Sequence, residues 1–325
     1  MKNKTLEILL KNTDEYISGE AISKQLGISR SAIWKHISLL KDEGYAFIAS
    51  TKKGYRIINA DEVLESGFYD LPSEQAIGRN YYYLDEVDST NSYSKKIAVE
   101  SPDGTVVMAD VQTKGKGRLG RAWESKDKKG LWMSVILKPK IPISGVFILS
   151  HLAGVAVCKT LLEEGYKANI KWPNDVLING KKVCGILCEL DGEAERVNYV
   201  VIGIGLNLKQ EIEDFPMEIR EKATSLLLED NEKIRPREIL KKILLNLEYL
   251  YNTLITDGPN EIIKYAKENS ATIGKDVQII YNNDTIIGKA IDINHNGGLV
   301  IETKNGQTME IISGEVSVRG IYGYV

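Results

Sequence analysis

The chain has 325 residues, a formal net charge of −3, 43% hydrophobic residues and 27% charged residues. These proportions are ordinary for a soluble globular protein and exclude a disordered or fibrous chain. A chain of this length is expected to fold into two or three domains. The mildly acidic total neither favours nor excludes nucleic acid as a partner, so charge has to be judged segment by segment.

The cysteines and the apolar segments indicate the compartment. Cys158, Cys184 and Cys188 form no CxxC pair, and their odd number fits reduced thiols in a cytoplasm. The N-terminal residues lack the features of a signal peptide, and polar side chains interrupt the most apolar region, residues 146–162. The three histidines of the chain are scattered along the sequence, so no dedicated metal site is expected. We therefore predict a cytoplasmic protein with no membrane association.

The first 65 residues predict a winged helix-turn-helix domain. Residues 2–11 and 19–26 have the composition of two helices, and a tight turn follows at Gly27. Ser29 is a suitable N-cap for a third helix that ends near residue 43. Two strand-like runs then flank a basic turn at residues 51–54, which predicts a β-hairpin.

The third helix is expected to bind DNA. Its apolar residues Ile33, Ile37 and Leu40 recur at helical spacing, so the opposite face points outward. An outward helix with cationic side chains, next to a basic hairpin, suits a major groove and its phosphates. The alternative is a small interaction module with a solvated charged face. The candidate DNA contacts are Arg30, Ser31, Trp34 and Lys35 on the helix and Lys52 and Lys53 on the hairpin.

An acidic connector at residues 59–78 separates this domain from the next. We predict domains at residues 1–65, 66–272 and 273–325. The second domain opens with a strand at residues 81–87, and the polar sequence Asp88-Ser89-Thr90-Asn91 then starts a helix. A helix cap needs one polar residue, whereas three small hydrogen-bonding side chains in a row can also line a ligand site.

A glycine-rich basic segment, QTKGKGRLGRAW at residues 112–123, is the main candidate for an anion site. Its glycines allow backbone N–H groups to approach a ligand, and its cations supply opposite charge. The alternative is a basic loop that faces solvent and binds no ligand. The Walker pattern GxxxxGK[ST] is absent from the segment.

The rest of the chain predicts a sheet, a helical region and a small barrel. Strands are expected at residues 131–137 and 200–208, a helix at residues 144–164, and a hairpin around Asn179-Gly180. Residues 216–269 are predicted to be helical. From Asp276 onward, short strands alternate with turns, which indicates a small β-barrel of the SH3-like or OB-like size.

Five motifs together resemble the biotin protein ligases. They are DSTN at 88–91, QTKGKGRLGR at 112–121, KWPND at 171–175, KKVCGIL at 181–187 and GIGLN at 203–207. With the N-terminal winged helix, the chain is similar to the bifunctional members, which also repress biotin-synthesis genes. The resemblance implies an α+β multidomain fold: a winged helix-turn-helix, a central α/β ligase domain with a mixed sheet and a C-terminal SH3-like barrel.

The resemblance also implies a two-step reaction. Biotin and ATP give biotinyl-5′-adenylate, which then acylates a lysine on the biotin carboxyl carrier domain of a carboxylase. Mg²⁺ is expected to accompany ATP through phosphate oxygens, without dedicated protein ligands. The implied partners are this carrier protein, operator DNA and a second copy of the chain, with the adenylate as corepressor of a homodimer.

Roles for individual residues follow from the same resemblance. Lys182, Arg118 and Asp175 are the implied catalytic residues, and Asp175 would orient or deprotonate the incoming lysine unless it only starts the hairpin. Lys116 stands where many members have arginine, so the charge remains and the bidentate fork is lost. The implied biotin-binding residues are Ser89, Thr90, Asn91, Gln112, Lys116, Gly117, Arg118, Trp123 and Lys182. The implied nucleotide-binding residues are Arg118, Arg121, Lys182 and Asn207, with Arg319 close by and Phe215 or Ile219 over the adenine ring.

Two other functions remain open at this point. A lipoate–protein ligase uses the same adenylation chemistry, but the polar wall at Ser89–Asn91 and Gln112 suits a ureido ring better than a dithiolane. A biotin-sensing repressor without catalysis is the second alternative, and Lys182 and Arg118 argue against it. A comparison of ATP–pyrophosphate exchange with biotin and with lipoate would separate these functions.

Overall fold

The computed structural model describes residues 1–42, 44–59, 64, 67–68, 71–193, 196–230, 234–281, 284–312 and 315–318. Arg319, which the resemblance places near the nucleotide, is not among these residues. The chain forms two compact units. One comprises Met1–Ser73 with Arg235–Lys241, and the other comprises Glu74–Ile234 with Lys242–Val325.

The N-terminal unit contains three helices and a two-stranded hairpin. Helices α1 (Lys2–Leu10), α2 (Gly19–Leu26) and α3 (Arg30–Asp42) precede strands β1 (Phe47–Ser50) and β2 (Gly54–Ile57), which pair antiparallel. The turn between α2 and α3 has the expected geometry, since Gly27 has a φ of 65° and Ser29 Oγ accepts a hydrogen bond from Ala32 N at 3.2 Å. The helix-turn-helix prediction is therefore confirmed.

The apolar residues of α3 are buried, and its polar residues face outward. Ile33 and Ile37 pack with Ile8, Leu9 and Ile22 in one hydrophobic cluster. Such a cluster fixes the rotation of α3 about its axis, which leaves the other side of the helix in solvent. All six predicted DNA contacts are exposed: Arg30, Ser31, Trp34, Lys35, Lys52 and Lys53.

The second unit is built on a seven-stranded mixed sheet with the order β3-β4-β5-β9-β8-β7-β6. Only the β3–β4 pair is parallel among the described neighbours, which confirms the predicted mixed sheet. The strands are β3 (Tyr81–Val87), β4 (Thr105–Gln112), β5 (Gly130–Leu137), β6 (Ala168–Lys171), β7 (Asp175–Ile178), β8 (Lys181–Glu193) and β9 (Arg196–Asn207).

Helices α4 (Thr90–Ile97) and α5 (Phe147–Glu163) pack on this sheet, and α5 is buried along most of its length. The chain also forms the helices α6 (Leu226–Glu229), α7 (Pro236–Asp257) and α8 (Asn260–Glu268). The prediction of helix throughout residues 216–269 is wrong at its start. Pro216 has no N–H to donate, and Ser225 caps the short α6 through its Oγ, so residues 217–225 hold only a 3₁₀ turn at Met217–Ile219.

A smaller antiparallel sheet of five strands follows, with the order β13-β12-β11-β10-β14. The strands are β10 (Asp276–Tyr281), β11 (Asp284–Ile293), β12 (Leu299–Thr303), β13 (Thr308–Ile311) and β14 (Glu315–Val318). The turn between β11 and β12 contacts helix α5 and the residue that follows β6. Gly297 O accepts hydrogen bonds from Trp172 Nε1 at 2.9 Å and from His151 Nε2 at 2.8 Å.

Candidate functional site

A cavity lies where strands β5, β8 and β9 meet the start of α4 and the glycine-rich loop. Glycines on the strands make room for two side chains that enter it. A Cβ added to Gly203 would lie 2.3 Å from Asn91 Oδ1, and one added to Gly205 would lie 2.5 Å from Trp123 Nε1. The motif GIGLN is therefore explained by space for Asn91 and Trp123, rather than by dinucleotide binding.

All nine residues predicted to bind biotin line this cavity. They come from three distant parts of the sequence, which the sheet brings together. The lining consists of Ser89, Thr90, Asn91, Gln112, Lys116, Gly117, Arg118, Trp123, Met133, Asn174, Lys182, Gly185, Ile186, Leu187, Gly203, Ile204 and Gly205.

One side of the cavity is a buried polar wall. Ser89 stands at the N-cap of α4, but its side chain makes no capping hydrogen bond. Thr90 N and Thr90 Oγ1 both donate to Gln112 Oε1, at 2.9 Å and 3.1 Å. Gln112 Nε2 donates in turn to Ser125 Oγ at 3.0 Å. These bonds fix which end of the Gln112 amide accepts and which donates.

Three residues that the sequence did not single out complete this wall. Ser134 Oγ lies 2.6 Å from Asn91 Oδ1 and 2.8 Å from Thr90 Oγ1, and Asn91 Nδ2 donates to Glu189 Oε2 at 2.9 Å. Ser134 is a fully buried hydroxyl in the otherwise apolar strand GLWMSVIL, and this contrast is a signal that could have identified it. Ser125 lies in the polar sequence ESKDK, where such a contrast is absent, whereas Glu189 follows the apolar run GILC and could have been noticed in the same way.

The opposite side of the cavity is cationic. Lys182 Nζ lies 2.6 Å from Asp175 Oδ1 and 5.2 Å from the centre of the Trp123 ring. Arg118 donates to Asn174 Oδ1 at 3.0 Å, and Asn174 Nδ2 is held by Ile186 O at 2.8 Å. Two fixed positive charges thus face the polar wall, an arrangement that suits a ligand with a polar ring at one end and an anion at the other.

The glycine-rich loop is anchored at both ends. Gln112 N donates to Ser125 O at 2.8 Å, Lys114 N to Asp88 O at 2.7 Å, and Trp123 N to Gly115 O at 2.9 Å. Between these anchors, Leu119 adopts a φ of 56° and is 74% exposed. The loop therefore has a fixed base and an exposed tip, and its tip carries Arg118 and Arg121.

Three predicted site residues lie outside the cavity lining. Asp175 reaches the cavity only through its ion pair with Lys182. Arg121 lines an adjoining groove along the loop, together with Lys114, Lys126 and Glu189. Asn207 is buried, and its Nδ2 donates to Thr224 O at 2.9 Å. This hydrogen bond links Asn207 to the segment that contains Thr224. The nucleotide-binding role of Asn207 stays a prediction.

Burial controls the titration of several groups around the site. Burial raises the pKa of the Cys188 thiol to about 12, so this thiol is neutral at ordinary pH. Burial by itself would raise the pKa of Glu189, but hydrogen bonds from Lys95 and Asn91 outweigh it and lower the pKa below the usual value. Glu189 is therefore an anion behind the polar wall.

Two kinds of site are not found within the described residues. No cluster of three or more His, Cys, Asp or Glu side chains among them could hold a metal ion. In the same part of the chain, each helix is too short or too polar to span a bilayer.

Comparisons with known proteins give the family. Bifunctional ligase/repressor BirA from Bacillus subtilis is 40% identical over 309 residues, which are 94% of this chain and 95% of that protein, and the Bacillus spizizenii protein gives the same values. A solved structure of the biotin protein ligase from Aquifex aeolicus in complex with biotin and ATP matches with a TM-score of 0.64. It is 32% identical and covers 74% of this chain and 99% of that one.

The chain belongs to the family of bifunctional biotin ligases and repressors. Three family models match it: HTH domain at residues 2–56, Biotin/lipoate A/B protein ligase family at 83–207, and Biotin protein ligase C terminal domain at 272–319. The resemblance predicted from the five motifs is confirmed.

Family membership also decides between the functions that the sequence left open. The predicted biotin protein ligase activity combined with a repressor is confirmed, since the relatives carry both functions in one chain. The biotin ligase family model and the ligase names of the relatives argue against a repressor without catalysis.

Proposed function

We propose that the cavity binds biotin with its ureido ring against the polar wall and its carboxylate between Lys182 and Arg118. The observation that carries this proposal is the convergence of all nine predicted biotin-binding residues on one cavity. A ureido ring has two N–H donors and one carbonyl acceptor, which suits a wall of hydroxyls and oriented amides. Trp123 supplies the apolar surface against which the rest of the ligand packs.

In the first step, a carboxylate oxygen of biotin attacks the α-phosphorus of ATP. An acyl–phosphate bond forms, the bond between the α- and β-phosphates breaks, and pyrophosphate leaves. Negative charge grows on the α-phosphate oxygens, and Lys182 and Arg118 are the fixed cations that stabilise it. Mg²⁺ would come with ATP on the phosphate oxygens, where it would neutralise part of their charge.

In the second step, the neutral amine of a lysine on the carrier domain attacks the acyl carbon, and AMP leaves. Asp175 lies 2.6 Å from Lys182 and is the carboxylate that accepts the proton of the incoming amine. The same carboxylate holds the Lys182 ammonium in place before ATP binds. Asp175 therefore acts in both steps, first through Lys182 and then on the acceptor lysine.

The nucleotide lies beside Arg118 and Lys182, with Arg121 contacting the phosphates from the loop. Asn207 supports the adenosine side through the segment that contains Thr224, to which it donates a hydrogen bond. Phe215 or Ile219, which follow β9 in the sequence, covers the adenine ring. The domains extend over residues 1–65, 66–272 and 273–325, and the C-terminal antiparallel sheet is an SH3-like barrel.

The winged helix binds operator DNA in a homodimer that uses biotinyl-5′-adenylate as its corepressor. One short recognition helix gives limited affinity, so a two-fold operator bound by two copies supplies the rest. Linkage requires that dimerisation tighten adenylate binding by the same factor as adenylate tightens dimerisation. Operator titration with and without a non-hydrolysable adenylate analogue tests this regulation, and an unchanged operator affinity would contradict it.

The direct test of the ligase chemistry is the transfer of labelled biotin to a purified carrier domain in the presence of ATP and Mg²⁺. We expect the reaction to attach one biotin to one lysine of the carrier domain. We also expect the ligase activity in the cytoplasmic extract of the cells that make this protein. Transfer that proceeds without ATP would refute the adenylate pathway.

A further inference from the structure

Helix α3 exposes a tryptophan on the side that faces away from the core of the N-terminal unit. The Trp34 side chain is 63% exposed, whereas Ile33 and Ile37 on the core side of the same helix are 0% and 3% exposed. Tryptophan is enriched where a protein surface binds a partner, relative to the rest of the surface. The exposed indole is therefore a candidate contact, and its place on the helix indicates what it contacts.

Contacts on the other sides of α3 fix the direction of this indole. Ile33 and Ile37 lie in a hydrophobic cluster with residues of α1 and α2. His36 Nδ1 lies 2.8 Å from Oγ1 of Thr5, which is buried on α1. Residues two positions apart point to nearly opposite sides of a helix, so Trp34 points away from α1. Turning the indole toward the core would break both sets of contacts.

Trp34 lies in the part of α3 that meets base edges in helix-turn-helix proteins. Such proteins place the N-terminal residues of the recognition helix in the major groove. The helix spans Arg30–Asp42, so Trp34 begins its second turn. The exposed cations Arg30, one turn earlier, and Lys35, the next residue, lie beside it. These cations are attracted to the phosphates of any DNA, whereas an apolar ring gains binding energy only where the DNA presents an apolar group.

Base edges in the major groove present a single kind of apolar group, the C5-methyl of thymine. The other groups at these edges are hydrogen-bond donors and acceptors. Thymine also carries its O4 acceptor beside this methyl group, so an indole is able to cover the methyl and donate its N–H to the oxygen. A base pair without the methyl group leaves the ring against polar groups that have lost water. The chemistry of the indole therefore favours thymine.

We propose that Trp34 is a specificity-determining residue that recognises a thymine methyl group in each half of the operator. The proposal rests on the proposed binding of operator DNA by α3, and it adds the base chemistry that the helix reads. Arg30 and Lys35 contribute to the affinity for DNA of any sequence through the phosphates. Trp34 contributes to the preference for one sequence over another.

The test replaces single thymines by deoxyuridine, which lacks the methyl group and keeps every hydrogen-bonding group of the base. The probe is a duplex selected from random-sequence DNA by the full chain in the presence of biotin and ATP. We expect deoxyuridine at the contacted thymine to raise the dissociation constant about fourfold, the effect of losing one buried methyl group. Affinities that stay unchanged after replacement of each thymine in turn would overturn the proposal.

Trp34→Ala assigns the effect to this residue. We expect the variant to bind the thymine duplex more weakly and to lose the difference between thymine and deoxyuridine. The titrations are made at low salt, so that phosphate contacts keep the weaker variant bound. Leu39→Ala is the matched control, because Leu39 is another apolar side chain of α3, 50% exposed, in the C-terminal half of the helix. This control is expected to keep both the affinity and the difference.

The thymine contact and operator binding fail in different ways. If the full chain enriches no sequence from the random DNA, operator binding is refuted, and the thymine contact fails with it. If the chain binds a selected sequence and Trp34→Ala keeps the wild-type ratio of dissociation constants for the thymine and deoxyuridine duplexes, operator binding stands and the role of Trp34 is overturned.

Discussion

Lys182 has the shortest ion pair in the cavity, and its charge is fixed on two sides. Asp175 lies 2.6 Å from its Nζ, and the Trp123 ring lies 5.2 Å from it. An ammonium held in this way needs little reorganisation when charge develops on a phosphate nearby, which is the condition for electrostatic catalysis. We therefore propose that Lys182 and Arg118 supply most of the rate of the first step.

Lys182→Ala is expected to lower the rate of adenylate formation by on the order of 10²-fold or more. The fold is expected to survive, because Asp175 is only partly buried and can be solvated when its partner is removed. Single-turnover measurement of biotinyl-5′-adenylate gives the rate. Lys181→Ala is the matched control, since Lys181 is the exposed neighbour on the same strand, and a near-normal rate for Lys182→Ala would refute the assignment.

At the residue scale, the sequence singled out the cavity-lining residues that lie in motifs. It missed the residues that hold these side chains by hydrogen bonds. Thr90, Gln112 and Lys182 could be predicted because each stands in a motif whose composition is unusual. Ser134 and Glu189 stand 43 and 98 positions from Asn91, which they contact. Only the order of the strands brings them together, and single-sequence patterns do not contain that order.

At the scale of elements, the space for the ligand is made by glycines on β9. A Cβ at Gly203 would lie 2.3 Å from Asn91 Oδ1, so Asn91 would have to leave its position between Ser134 and Glu189. A strand glycine is normally a weakness, because it adds no packing and loses more backbone entropy on folding. The glycine at position 203 is explained by the space that the Asn91 side chain needs.

Gly203→Ala is expected to raise the dissociation constant for biotin at least about tenfold, since it displaces Asn91, which lines the cavity proposed to bind biotin. Isothermal titration with biotin measures the effect. Gly154→Ala, in the buried helix α5, is the control, because its added Cβ would meet Ile186 at an ordinary 3.6 Å. Equal affinities for Gly203→Ala and the wild type would contradict the role of this glycine.

The contact between α5 and the β11–β12 turn predicts a dependence of stability on pH. Burial lowers the pKa of His151 to about 4, although its hydrogen bond to Gly297 O acts in the opposite direction. The unfolded chain therefore binds a proton on His151 more readily than the folded chain between pH 6.5 and pH 4. The contribution of His151 to the free energy of unfolding is therefore present above pH 6.5 and is lost as the pH falls toward 4.

Urea unfolding of the wild type is expected to show a loss of about 2 kcal/mol from His151 between pH 7 and pH 5. His151→Gln keeps a donor for Gly297 O and removes the titration, so its loss over the same interval is expected to be smaller by that amount. His295→Gln, at an exposed histidine in the same turn, serves as control. Identical pH dependences in all three proteins would disprove the assignment.

The prediction of elements succeeded where periodicity was strong and failed where a cap and a proline intervened. The buried helix at residues 147–163 and the strands around Asn179-Gly180 follow from apolar runs and a turn signal. The sequence predicts a helix over residues 217–225, yet Pro216 precedes this segment and Ser225 at its end caps the following helix α6. Such local hydrogen bonds compete with helix formation, which hydrophobic pattern alone does not register.

At the scale of the whole molecule, the chain combines a helix-turn-helix unit with a ligase unit. The N-terminal unit has its own hydrophobic clusters, formed by residues of α1, α2, α3 and the hairpin. A unit with its own core is able to fold independently. Regulation and catalysis can therefore be separated by truncation.

Deletion of residues 1–65 is expected to leave biotin transfer within about threefold of the full chain and to abolish operator binding. Residues 67 and 68, which belong to the N-terminal unit and lie beside the start of α7, remain in the truncated chain. Biotin transfer and gel-shift titration measure the two activities. The full chain with Arg30→Ala and Lys35→Ala is the matched control, and native operator affinity after the deletion would contradict the domain assignment.

The central claim is that the cavity between the polar wall and Lys182 activates biotin as its adenylate. Ligand-dependent exchange of labelled pyrophosphate into ATP tests it most directly, because the exchange requires the reversible first step and no carrier domain. We predict saturable exchange with biotin and, with lipoate at the same concentrations, exchange at least about 100-fold slower, since a dithiolane leaves the polar wall unpaired. Equal exchange with the two acids, or none with biotin, would contradict the account.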